Sequence, residues 1–162
     1  MSYTLEQFAA DCKQALSSGA NPQSLDSVRA NVSRACLDQT FVDTHLGEHN
    51  STPRKLLYQD DELGFCIFAH VYLEGANNSK PHDHGPSWAV YGQAVGETVM
   101  TDWQANDDSS VQSVQSYALT PGDAYVYDVG DIHSPAREGP TRLIRVEGVN
   151  MDGVERRWFE LP

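Results

Sequence analysis

The sequence predicts a mainly β protein: a sandwich or barrel of short antiparallel strands, with α-helices packed against it at the N-terminal end. Two patterns carry this expectation. Over residues 1–47, apolar side chains recur at helical spacing. From Lys55 onward, short segments rich in β-branched and aromatic residues alternate with turn-forming sets. No strand–helix alternation suggests a parallel sheet. At 162 residues the chain is long enough for one domain with a real core, so 1–162 is read as a helical segment over 1–47 packed on a β roll over 52–162.

In the first segment, Leu5, Phe8, Ala9, Cys12 and Leu16 make one apolar face. Thr4 is placed to cap that helix and Gly19 to end it. Asn21-Pro22 starts a second helix, with proline at its favoured first position, and Leu25, Val28, Val32 and Ala35 continue the stripe. A short third helix is expected around Phe41 to Leu46, stopping at Gly47.

The predicted strands are Leu56–Tyr58, Phe65–Tyr72, Trp88–Tyr91, Glu97–Trp103, Val111–Leu119, Ala124–Tyr127, Arg142–Val149 and Arg157–Leu161. Turn sets separate them: Asp60-Asp61-Glu62, Gly75-Ala76-Asn77-Asn78, Asn106-Asp107-Asp108, Pro121-Gly122-Asp123 and Gly139-Pro140.

Composition narrows the function. A net charge of -12 disfavours nucleic acid and anionic membranes, whose phosphates would be repelled. No apolar run reaches membrane-spanning length. The start, Met1 to Glu6, has neither a basic region nor an apolar core, so no signal peptide is expected and a cytoplasmic location is. Cys12, Cys36 and Cys66 are too few and too scattered for a disulfide framework or a zinc-type pair, and read as small buried side chains.

The chemistry is concentrated in Lys80-Pro81-His82-Asp83-His84-Gly85-Pro86 and in His133 of Val129-Gly130-Asp131-Ile132-His133-Ser134-Pro135. Histidines two apart on a strand point to one side of it, and a third supplied by a turn beside another strand completes a set of three neutral nitrogen ligands. Coordination positions remain open on such a metal. Asp83 alternates to the opposite side. His45 and His49, four residues apart, are interrupted by Gly47 and read as surface or packing residues.

Gly75, His82, His84, Gly92 and Gly96 resemble the first sequence motif of the cupins, and Gly122, Gly130 and His133 resemble the second. The resemblance implies a double-stranded β-helix, or jelly-roll barrel, with the histidines facing its interior. Where many cupins place a glutamate ligand, this chain has Trp88 and Ala89, which leaves a three-histidine site.

Residues Thr52 to about Glu147 look like the cysteine dioxygenase family of thiol dioxygenases. The likeness rests on Pro81-His82-Asp83-His84, Ser87, Gly96-Glu97-Thr98 and Trp103. It implies a mononuclear iron(II) dioxygenase, with a small substrate and dioxygen as partners. The third iron ligand falls on His133. Pro53-Arg54-Lys55-Leu56-Leu57 is similar to the segment that holds the substrate carboxylate, which puts that role on Arg54. The family's Ser-His-Tyr set is replaced by Leu143, Arg145 and Glu147, and Ala89 stands about where some members carry a crosslinking cysteine. An inward Arg145 suits a carboxylate, with Glu147 as its partner or as a base; a rim salt bridge between the two is the other reading. His70 and Tyr72 line the pocket if their strand face is interior. Tyr125 and Tyr127 read as core packing. The same ligands also admit Zn2+, Ni2+ or Mn2+, hence a hydrolase, lyase or isomerase, or a metal-dependent ligand-binding protein without turnover. Exposed edge strands allow a homodimer.

Overall fold

The computed structural model describes residues 2–50, 52–74 and 77–162. Gly75 and Ala76, expected in a turn and, for Gly75, in the first cupin-like motif, lie outside the described residues, as does Met1. Three helices lead: α1 (Leu5–Leu16), α2 (Pro22–Leu37) and α3 (Gln39–His45). Each begins on a side chain that accepts an otherwise unpaired backbone N–H. Thr4 accepts from Gln7 and Asp38 from Phe41, while Asn21 and Ser24 form a reciprocal capping box.

Nine strands follow: β1 (Lys55–Gln59), β2 (Cys66–Tyr72), β3 (Asn77–Asn78), β4 (Ala89–Val95), β5 (Thr98–Ala105), β6 (Val111–Leu119), β7 (Ala124–Tyr127), β8 (Ile132–Arg137) and β9 (Thr141–Glu147). They form two antiparallel sheets, ordered β1-β2-β9-β4-β7 and β3-β8-β5-β6. Among the described residues, no helix is long and apolar enough to cross a membrane.

Strand alternation divides the larger sheet into two different faces. Ile67, Ala69, Val71, Val90, Ile144 and Val146 pack outward against Phe8, Val28, Val32 and Phe41 of the helices, making the main core. The alternate residues look into the barrel: Phe68, His70 and Tyr72 of β2, Ala89 and Tyr91 of β4, and Leu143, Arg145 and Glu147 of β9. A small cluster of Ala89, Tyr91, Met100, Leu119 and Tyr127 fills one part of that interior. Gly92 lets α2 sit directly on β4: a Cβ there would run into Val32 and lie 2.7 Å from the Cys36 sulfur.

Four expectations are corrected. His82 and His84 are not on a continuous strand; only His82 makes a β-bridge. Pro81 and Pro86 flank the pair, and proline has no N–H to extend a ladder. His133 lies within β8 rather than in a turn beside a strand. Asn77 and Asn78, expected in a turn, pair with Arg137 and Ala136 as β3. The Arg157–Leu161 strand reduces to a single bridge from Trp158 to His82, because the ladder it would join is that same interrupted segment.

Candidate metal centre

The site is assembled by one pair of backbone hydrogen bonds. His82 and His133 exchange N–H···O=C bonds of 3.0 Å in each direction. Directly opposed antiparallel residues project to the same face, so two imidazoles from distant places in the chain meet. His84 joins them two residues on. Its chain then turns at Gly85, where φ is +58° and a side chain would strike the Glu155 carbonyl.

The three rings are buried, at 4%, 0% and 0% exposure for His82, His84 and His133. One nitrogen from each lies within 4.8 Å of the others. The Nε2 atoms of His84 and His133 stand 3.2 Å apart. Two imidazole nitrogens bound to one ion at about 2.1 Å are separated by about 3.0–3.4 Å, so this pair fits a shared cation. His82 Nδ1 donates to the Lys80 carbonyl at 2.7 Å, which leaves its Nε2 lone pair bare.

All three rings are held neutral. Burial pushes the His82 pKa down to about 4 and that of His84 to about 2, and drives His133 well below the usual imidazole range. Nearby guanidinium groups add to this: Arg156 and Arg145 at His82, Arg145 and Arg156 at His84, Arg145 and Arg137 at His133. Neutral imidazole is the metal-binding form. Asp83 is turned away. Its carboxylate accepts Arg157 Nε at 2.7 Å and the N–H groups of Gly85 and Arg157 at 3.0 Å. Burial favours its neutral form, but these partners outweigh it and lower the pKa.

The expected companion residues converge on the same interior. Glu147 is fully buried and accepts Arg54 through both oxygens, at 3.1 and 3.0 Å. It is also ion-paired with Arg145. Arg54 lies flat on Phe68 and also pairs with Asp152. Both arginines are thus engaged by carboxylates. Arg145 nevertheless keeps a buried Nε without a hydrogen-bond partner. His70 is buried beside Tyr72, whose hydroxyl lies 3.5 Å from its Nδ1. Burial first, then Arg145, Arg54 and Arg137, lower the His70 pKa well below the usual value. Tyr127 packs against His133 with ring centroids 4.2 Å apart, while Tyr125 stays at the surface. His45 packs against Phe41 with its ring tilted, and His49 bonds the Thr44 carbonyl; neither belongs to the cluster.

Three residues escaped the sequence reading. Tyr91 accepts Arg145 Nη1 at 2.8 Å, and its hydroxyl lies 3.4 Å from His84 Nε2. Its signal was available: it is two residues past Ala89, on the same strand face. Arg156 and Trp158 come from the C-terminal segment, which crosses the His82–His84 stretch. Asp83 N donates to the Arg157 carbonyl and Phe159 N to that of Pro81. Nothing local marks these two. Trp158 packs against His82 with ring centroids 4.7 Å apart, tilted by 42°. Arg54, Arg145, Arg156, Asp152, Glu155 and Trp158 are among the residues that line a cavity of about 710 Å³, which reaches the cluster through the contact of Trp158 with His82.

No family model and no curated protein matches the chain. Solved structures do. A Klebsiella pneumoniae protein of uncharacterised function with a double-stranded β-helix domain is 18% identical, with a TM-score of 0.51 over 74% of this chain and 89% of its own. BH2720 from Bacillus halodurans is 13% identical, with a TM-score of 0.52 over 62% of this chain and 72% of its own. A cupin superfamily protein from Desulfitobacterium hafniense is 19% identical, with a TM-score of 0.45 over 60% and 76%. The architecture is therefore a double-stranded β-helix with helices at its N-terminal end. Within it, the three-histidine cluster is compatible with a single metal ion.

Proposed function

We propose that this protein is a mononuclear non-heme iron(II) dioxygenase acting on a small anionic organic substrate. The observation that carries the reading is a cluster of three neutral imidazoles that, among the described residues, contains no carboxylate, with Arg145 and Arg156 nearby. Three neutral ligands leave the charge of a divalent ion uncompensated, so an anionic ligand is favoured. A ferrous ion held by His82, His84 and His133 supplies a redox centre that retains positions for substrate and dioxygen.

The protein's own groups supply charge, protons and dryness. Glu147 balances the charge of Arg145, so Arg156, which makes no ion pair among the described residues, is the cation left to attract an anion. Glu147 grips Arg54 and Arg145 together and so fixes the Arg145 guanidinium. That group in turn holds Tyr91. Because the Tyr91 oxygen accepts from Arg145, its own proton is left to point toward an atom seated beside His84. Tyr91, Met100, Leu119 and Tyr127 close the inner end with apolar surface. The residues that match the thiol-specific set of the cysteine dioxygenases are replaced, so a small carboxylic acid without a thiol is preferred over cysteine itself.

A zinc, nickel or manganese hydrolase, lyase or isomerase is the second reading. It is favoured by the Tyr91 hydroxyl, a ready acid–base group next to the cluster. Metal analysis of protein purified without added metal separates the two, followed by oxygen-electrode screening with thiols, β-diketones and small carboxylic acids. Iron, a nitrosyl signal by electron paramagnetic resonance and substrate-dependent oxygen uptake support the dioxygenase. Turnover without oxygen consumption overturns it.

A further inference from the structure

We propose that Arg156 is the residue that binds the substrate's carboxylate, and that Trp158 packs against the flat or apolar body of the same molecule. This rests on the reading of an anionic substrate at the histidine cluster. It moves the carboxylate-binding role from Arg54, where the sequence likeness places it, to a residue from the other end of the chain.

The case is one of availability. Three arginines line the cavity: Arg54, Arg145 and Arg156. Arg54 already makes a bidentate pair with Glu147 and a further pair with Asp152. Arg145 spends its terminal nitrogens on Glu147 and Tyr91. Among the described residues, Arg156 makes no ion pair; its guanidinium lies 5.6 Å from the Trp158 ring. A half-buried guanidinium without a carboxylate partner attracts an anion of matching geometry.

Position supports the assignment. Trp158, two residues from Arg156, packs against His82 with its ring tilted, so this segment touches the cluster directly. The segment is held in register by Arg157, whose backbone and side chain both bind Asp83, the residue between two of the histidines. The metal-binding stretch and the substrate-binding segment are thereby tied through one carboxylate. Trp158 is 56% exposed, a large apolar surface at a cavity mouth that a bound ring would cover. Tyr72 and Met151 offer further apolar wall. The substrate class that fits is a small organic acid with a planar or apolar body.

The test uses full-length protein loaded with cobalt(II), with acetate and benzoate as probes, titrated by calorimetry. Arg156→Gln is expected to weaken both probes about 10- to 100-fold, with Arg156→Lys intermediate and one metal per chain retained. Trp158→Ala is expected to weaken benzoate at least about 5-fold and leave acetate within about 2-fold. Unchanged affinity for both probes in Arg156→Gln, with metal and fold intact, overturns the assignment while leaving the anionic-substrate reading in place. If the wild type takes up one metal but neither probe, the anionic-substrate reading itself falls, and this proposal with it. A thermal melt of each variant, matched to wild type, ties any loss of binding to the side chain rather than to unfolding.

Discussion

Glu147, with no exposed surface, receives both terminal nitrogens of Arg54, which lies 93 residues away in the chain. Arg145 pairs with the same carboxylate, so one buried anion serves two cations. Removing it leaves Arg145 without a carboxylate in a low-dielectric interior and Arg54 with Asp152 alone. Glu147→Gln is therefore expected to cost about 3–5 kcal/mol, measured by urea denaturation of metal-free protein. A loss below about 1 kcal/mol would show that solvent reaches the pair.

Metal binding should depend on every imidazole. His133→Ala is expected to abolish stoichiometric metal uptake, because it removes the ligand that opposes both others. In the wild type, metal at 100 times its dissociation constant should stabilise the fold by about 2.7 kcal/mol, seen as a raised melting temperature that chelator reverses. Full occupancy in the variant would refute the site.

Metal-free protein should become less stable as pH falls below 6.5. Unfolded histidine takes up a proton near pH 6.5, whereas burial, with Arg156 and Arg145 near His82 and with Arg145, Arg54 and Arg137 near His70, keeps these rings neutral in the fold. Between pH 6.5 and about 4, the range marked out by His82, the unfolded state holds more protons than the native one. Stability therefore rises with pH across that window and is fully present above it. Thermal melts in chelator at several pH values check this. A melting temperature that stays level through the window would contradict it.

Tyr91→Phe should leave metal stoichiometry at the wild-type value and lower turnover by about 100-fold. The variant removes only the hydroxyl held between Arg145 and His84. It also strands one buried Arg145 N–H, at a cost of about 1–3 kcal/mol. Wild-type turnover in a stable, metal-loaded variant would confine Tyr91 to packing.

The three thiols should be silent toward a disulfide reagent in the native state. Cys12, Cys36 and Cys66 are free and buried, and burial pushes their pKa values up to about 12, 12 and 11. All three should react on denaturation. Rapid labelling of the folded protein would point to local opening, beneath the helices for Cys12 and Cys36 and at the start of β2 for Cys66.

Much of the architecture was legible because it is written in neighbouring residues. The Phe8–Cys12–Leu16 stripe, the Asn21-Pro22 start and the Val111–Leu119 strand all fall where local pattern puts them. Strand ends were less legible. Asn77-Asn78 looks like a turn and pairs as β3 because β8 lies beside it, and Arg157–Leu161 looks like a strand but has only His82 as its β-bridge partner. Asp83 was placed away from the histidines by simple alternation, and the structure places it there, on Arg157.

From residue order alone came the secondary-structure periods, the three histidines and the shared strand face of Arg145 and Glu147, since alternation and ligand spacing are properties of adjacent positions; that this face is the interior came from the fold. Chain folding alone decided which arginine is spent and which is open, that Tyr91 and Trp158 touch the cluster, and that the imidazoles are neutral. Ion pairing and desolvation depend on what comes close in space. Here the decisive partners, Arg54 with Glu147 and Asp83 with Arg157, lie 93 and 74 residues apart.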